Sequence, residues 1–199
     1  MKRRDFILGA GALAGVAAVP AWAAVNVADI DAYLRNLRTA TGRFTQTNPN
    51  GSVQTGQFML AKPGRIRFEY DSPKGAMVVS DGSWVGVFDP KSNRNPTRYP
   101  LKRTPLYMLL RDDVSLAEPG LVLGATEDAA GTHITVVDPR APDEGRLVMT
   151  FGTGPVELRQ WVVQMKNGQR TKIEVESMTE GAQVSRSLFN LELEATKYR

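Results

Sequence analysis

The chain has 199 residues, 25 of them basic and 21 acidic for a formal net charge of +4, with 42% hydrophobic residues and no cysteine. A chain of that length is most simply one domain. The lack of cysteine excludes disulfides, thiol catalysis, cysteine metal sites and acylation of an N-terminal cysteine.

Residues 1–23 read as an export signal. Lys2, Arg3 and Arg4 give a basic start, Ile7 to Val19 are apolar or small, and Ala21-Trp22-Ala23 matches a small-x-small cleavage pattern. Arg3-Arg4-Asp5-Phe6-Ile7 resembles a twin-arginine signal, with an ordinary Sec signal as the alternative. Removing Lys2, Arg3, Arg4 and Asp5 lowers the counts from 25 and 21 to 22 basic and 20 acidic, a net of +2. So mild a charge predicts no nucleic-acid partner. Residues 24–199 are expected to be one soluble domain of the periplasm.

Val27, Ile30, Leu34 and Leu37 stand at helical spacing, which predicts an amphipathic helix over 27–39. A first strand, Arg43–Thr47, follows and turns at Asn50-Gly51. In Gln57–Leu60 and Arg65–Tyr70, apolar Phe58, Leu60, Ile66 and Phe68 alternate with polar neighbours. Lys62-Pro63-Gly64 and Asp71-Ser72-Pro73 break these runs, and Asp81-Gly82 joins strands Met77–Ser80 and Trp84–Phe88. The pattern is an antiparallel meander with one apolar face.

The stretch 89–104 carries Lys91, Arg94, Arg98, Lys102 and Arg103, with a short strand near Thr97–Tyr99. It is either a solvated connection or a surface for anionic head groups or an acidic partner, with Arg94, Arg98 and Arg103 as the contacts. Thr104-Pro105 predicts a helix start, Thr as cap and Pro at the first position, before the apolar Leu106, Met108, Leu109 and Leu110. Five more strands follow: Leu121–Thr126, Thr132–Val137, Arg146–Phe151, Glu157–Met165 and Arg170–Ser177. Phe189, Leu191 and Leu193 alternate once more, which predicts a late short strand.

The fold expected is therefore mainly β (α+β): a strongly curved antiparallel sheet, or incomplete barrel, of about eleven strands with two helices. Catalytic signals are thin. His133 is the only histidine, no Gly-x-Ser-x-Gly elbow accompanies it, and no metal-ligand spacing exists. No metal or cofactor is expected, and an envelope hydrolase using His133 is the minor alternative. The apolar concave face either seals against the two helices as an ordinary core or encloses a pocket that suits a lipid.

Gly42-Arg43-Phe44-Thr45-Gln46, the Gly56–Leu60 strand, Lys62-Pro63-Gly64-Arg65-Ile66-Arg67-Phe68-Glu69-Tyr70, Val79-Ser80-Asp81-Gly82, Phe88-Asp89-Pro90 and Thr104-Pro105 with Leu109-Leu110 occur in one order. That order resembles the LolA family of periplasmic lipoprotein carriers. The resemblance implies an incomplete barrel with helices as a lid over a cavity for acyl chains. It implies that acylated lipoproteins are taken from an inner-membrane ABC transporter and passed to an outer-membrane acceptor, LolB, or to the outer membrane itself. It implies a cavity lined by Phe44, Phe58, Leu60, Ile66, Phe68, Leu147, Met149, Trp161 and Val163, and a lid of Leu106, Met108, Leu109 and Leu110. Lys62 stands where better-known members have an arginine that latches the lid, so Arg65 or Arg67 is a candidate to share that role. A monomer is expected. A carrier of a glycolipid or phospholipid is the alternative within the same fold.

Overall fold

A computed structural model describes residues 26–91, 95–152 and 154–197. Within them eleven strands form: β1 (Thr39–Thr47), β2 (Val53–Ala61), β3 (Arg65–Tyr70), β4 (Met77–Asp81), β5 (Trp84–Phe88), β6 (Thr97–Pro100), β7 (Val122–Asp128), β8 (Gly131–Val136), β9 (Gly145–Phe151), β10 (Leu158–Met165) and β11 (Arg170–Glu180). All pair antiparallel in one sheet of order β6-β5-β4-β3-β2-β1-β11-β10-β9-β8-β7. Two meanders are thus joined through β1 and β11, and β6 and β7 stand at the two ends of an open sheet. The incomplete antiparallel barrel expected from the sequence is this sheet. The expected export signal, residues 1–23, lies outside the described residues.

Period-two alternation puts Phe44, Phe58, Ile66, Phe68, Leu147, Met149 and Trp161 on one face, where all are buried in a single apolar cluster. Two reciprocal pairs shape this wall. Gly42 of β1 sits opposite Phe58 of β2, and Phe44 of β1 opposite Gly56 of β2. Each ring lies over the facing glycine, where a side chain would collide with it. Phe44 then meets Phe68 edge-on at 5.1 Å between ring centroids and Tyr70 at 5.5 Å, while Trp161 lies 6.4 Å from Phe58 and 6.2 Å from Phe68. Such pairs add about 0.5–1.5 kcal/mol each beyond the area they bury.

Helix α1 (Val27–Asn36) closes one end of the concave face with Ile30 and Leu34, and Asn26 caps it by accepting from the Ala28 N–H at 3.0 Å. It stops short of the expected Thr39, because Thr39 already pairs with Ala61 in the sheet. Helix α2 (Tyr107–Leu110) also starts later than expected. Thr104 does not cap it. Its hydroxyl donates back to the Leu101 carbonyl and closes the preceding turn.

The late strand is corrected to a helix. Arg186–Phe189 make a tight turn, and α3 (Leu191–Lys197) follows, its start held by Asn190, whose side chain accepts from Leu193 N–H at 2.9 Å. Phe189 and Leu191 are both buried and two apart, which imitates a strand. The pattern actually obeyed is Leu191, Glu194 and Ala195, one helical stripe. This segment covers the convex face of the sheet, over Met77, Val79 and Phe88. Gly86 makes room for it, since a Cβ there would lie 2.6 Å from the Leu191 side chain.

Arg67 is buried under the same segment. Its guanidinium bonds Glu69 at 2.6 Å and the Leu188 carbonyl at 3.0 Å, and lies 3.4 Å from the Glu194 carboxylate. It therefore points to the convex side, away from α2, which removes it as a lid latch. Arg65 is equally unconnected to α2. Among the described residues its guanidinium donates to the neighbouring Pro63 carbonyl, at 3.4 Å.

Candidate functional site

The concave face is not filled along its whole length. Towards α1 and α2, Phe44, Leu60, Ile66, Leu147 and Met149 are at most 2% exposed and pack with Leu34, Leu37, Leu109 and Leu110. Beyond Trp161 the two sheet halves diverge, and a cavity of about 650 Å³ opens between β3–β6 on one side and β10–β11 on the other. That volume falls within the roughly 300–1,000 Å³ of ordinary ligand sites. Exposed Val87, Asp89, Lys91 and Tyr99 mark its rim. A larger depression of about 860 Å³ lies between the β1–β2 and β10–β11 turns, but Pro49 and Val162 are its only apolar side chains. The interior cavity is the candidate site.

Of the residues assigned to the cavity from the sequence, Phe68, Trp161 and Val163 line it. Phe44, Phe58, Leu60, Ile66, Leu147 and Met149 face the same side but lie in the packed core. Of the four residues expected to form a lid, Leu106 lines the cavity, while Met108, Leu109 and Leu110 are buried in the core. The wall is completed by Tyr70, Val78, Val85, Val87, Tyr99, Met165 and Ile173, none of which was singled out for it. The alternation of β4, β5, β10 and β11 already placed most of them inward, and following it to the ends of those strands would have found them.

Lys62 meets α1 rather than α2. Its Nζ donates to the Leu34 carbonyl at 2.8 Å, one of the carbonyls that a helix leaves unpaired at its C-terminal end, where a cation is also favoured. The C-terminal end of α2 is tied by backbone, Gly64 N–H donating to the Leu110 carbonyl at 2.8 Å. Burial, and then the Arg38 guanidinium, push the Lys62 ammonium down from 10.5 to about 8, with Asp112 opposing. The folded protein thus releases this proton before the unfolded chain does, so the cost of burying the charge fades as pH rises above about 8. Stability should increase from roughly pH 7 to 9.5, and Lys62→Met should flatten the rise, both read from urea midpoints.

Arg98 is paired with Glu192 at 2.6 Å and Arg103 with Glu144 at 2.8 Å, both at the surface. Arg94 lies outside the described residues. His133 sits between the Asp128 carboxylate (Nε2 to Oδ1 2.8 Å) and the Thr150 hydroxyl (Nδ1 to Oγ1 2.9 Å). The order carboxylate, imidazole, hydroxyl is that of a hydrolytic triad. The hydroxyl, however, belongs to a threonine only 3% exposed, and none of the three residues lines the cavity. They join the edge hairpin β7–β8 to β9. Among the described residues no helix is long and apolar enough to cross a membrane.

The sequence model of the family described as "Outer membrane lipoprotein carrier protein LolA" matches residues 35–192. An outer-membrane lipoprotein carrier protein from Bordetella pertussis is 26% identical over 190 residues, covering 92% of this chain and 90% of that protein. One from Xanthomonas oryzae is 30% identical over 160 residues, covering 73% of each. Among solved structures, an outer membrane lipoprotein-sorting protein domain from Vibrio parahaemolyticus superposes with a TM-score of 0.51 at 9% identity, covering 85% of this chain and 97% of that one. At that identity the likeness concerns the fold.

Proposed function

The chain belongs to the LolA family of outer-membrane lipoprotein carrier proteins, and from that premise we propose that its cavity receives acyl chains of lipoproteins in the periplasm. The observation that supports this most directly is the hollow left on the apolar face between β3–β6 and β10–β11. Burying one methylene is worth roughly 0.8 kcal/mol, so exposing a chain of about 16 carbons to water costs on the order of 12 kcal/mol. Release into solution is not a usable step. Cargo must pass from cavity to cavity, with the energy supplied by a donor such as an inner-membrane ABC transporter. The recipient is an outer-membrane acceptor of similar fold or the outer membrane itself.

Residues 1–23 act in this reading as the export signal, and the carrier works as a monomer. Phe68, Trp161, Val163 and Leu106 are the acyl contacts among the residues first assigned. The buried Phe44, Phe58, Leu60, Ile66, Leu147 and Met149 form the wall on which the hollow is built. Met108, Leu109 and Leu110 would join the lining only if α2 lifts.

The test is loading. Purified protein should take up a triacylated lipoprotein and surrender it to acceptor membranes. Mass spectrometry of lipid extracted from the protein separates this cargo from a glycolipid or phospholipid. Failure to load under conditions that load another family member removes the reading. The basic stretch Lys91–Arg103 is proposed as its contact with anionic membrane. Arg98→Ser with Arg103→Ser should change stability by under about 1 kcal/mol, because both ion pairs are exposed. It should weaken vesicle binding in a salt-sensitive way. Unchanged binding confines those arginines to Glu192 and Glu144.

A further inference from the structure

One wall of the cavity is polar and uncharged. Gln46 and Asn48 of the β1 end, Gln54 of β2 and Tyr70 of β3 all line it, and their side chains form a directional relay. The Tyr70 hydroxyl donates to Gln46 Oε1 at 2.8 Å, Gln46 Nε2 donates to Asn48 Oδ1 at 2.6 Å, and Asn48 Nδ2 donates to Gln54 Oε1 at 2.9 Å. Gln54 Nε2 ends the chain on the Ser72 carbonyl at 3.4 Å. Ile173 of β11 stands directly beside Gln46 in the sheet, and Val163 and Met165 of β10 continue the wall from there, so one end of a largely apolar cavity carries a row of amides.

We propose that this amide row is a head-group subsite, binding the uncharged ester and amide groups where the acyl chains of a lipidated polypeptide converge, and disfavouring a phosphate head. The proposal rests on the carrier reading above. A primary amide has two N–H donors and a carbonyl with two lone pairs, and the relay uses one N–H each of Gln46 and Gln54. The Tyr70 hydroxyl, having donated its proton, still has lone pairs to accept an amide N–H. These are the partners that ester carbonyls and an N-acyl amide require. A phosphate monoanion requires cationic donors instead. Among the described residues, the charged side chains lining the cavity are Asp89 and Lys91, one of each sign, both on the rim after β5. Burial pushes the Tyr70 hydroxyl up to about 12, so the row stays uncharged at physiological pH.

The experiment compares a synthetic tripalmitoyl-cysteinyl peptide with dipalmitoyl phosphatidylglycerol, each displacing a fluorescent fatty acid from the full-length mature protein. The wild type should prefer the peptide by about tenfold or more, the scale of one or two neutral hydrogen bonds made or left unmade. Gln54→Leu combined with Tyr70→Phe should abolish that preference while the protein still folds with a cooperative melting transition, lowered only by the relay bonds it loses. Asn48 is left in place because it also braces the β1–β2 turn through Ser52. If the wild type ranks the two lipids equally, or the double variant keeps the preference, the subsite is overturned and the carrier reading stands. If neither lipid displaces the probe, the carrier reading falls and takes the subsite with it.

Discussion

Replacing Gly42 or Gly56 with valine is expected to cost about 3 kcal/mol or more in stability, at the upper end of what overpacking does. At each of these positions the backbone of a neighbouring strand occupies the space a side chain would need. A Cβ on Gly42 would fall 2.0 Å from the Ser177 carbonyl oxygen of β11, and one on Gly56 would fall 2.1 Å from the Glu69 carbonyl oxygen of β3. Both obstacles are backbone, so shrinking the facing Phe58 or Phe44 ring gives no relief. The sheet would have to uncurl, and the clustered Phe44, Phe58, Phe68 and Trp161 rings would separate with it. Against a total stability of about 5–15 kcal/mol, such a loss lowers the melting temperature by roughly 6–12 °C or leaves the chain unfolded. Gly124→Ala in the edge strand β7 is the control. Nothing lies within 4 Å of a Cβ there, and its effect should stay within about 0.5 kcal/mol. Wild-type melting of the two valine variants would show that the curvature does not depend on these contacts.

Val163→Glu should weaken acyl binding on the order of 100-fold or more while the protein still folds. Val163 is half-buried in the cavity wall, one inward position beyond Trp161 on β10. Without cargo the new carboxylate can reach water through the cavity, so folding tolerates it. With an alkyl chain in the cavity that water is displaced, and an unpaired carboxylate must be desolvated at a cost of several kcal/mol. A loss of 2.7 kcal/mol, about 100-fold in affinity, is thus a low expectation. Val163→Leu, which keeps the wall apolar, should bind within a few-fold of wild type. Equal uptake by the Glu variant would place the chains elsewhere, and displacement of a fluorescent fatty acid is sufficient to measure it.

Strand number and the inward face were legible because alternation is a local property. Phe58 and Leu60, or Leu147 and Met149, announce one side of a strand whatever else the chain does. Which inward residues enclose space was not legible. Phe44 and Val163 both face inward, yet one is fully buried and the other borders a cavity, and the difference lies in how far α1 and α2 reach along the sheet. Nor was the destination of Arg67 legible. An arginine between Ile66 and Phe68 reads as solvent-facing, and only the return of the C-terminal segment over the convex face buries it against Glu194.

The sequence by itself therefore determined an open antiparallel sheet with one apolar face and the order of motifs that marks its family, since both follow from residues near one another in the chain. The tertiary structure alone decided where that face is packed and where it is hollow, that Lys62 binds the end of α1 rather than α2, and that four uncharged side chains from β1, the β1–β2 turn, β2 and β3 meet at one wall of the cavity. Each of these depends on the distance between segments far apart in the chain, which curvature and helix placement set and no local pattern records.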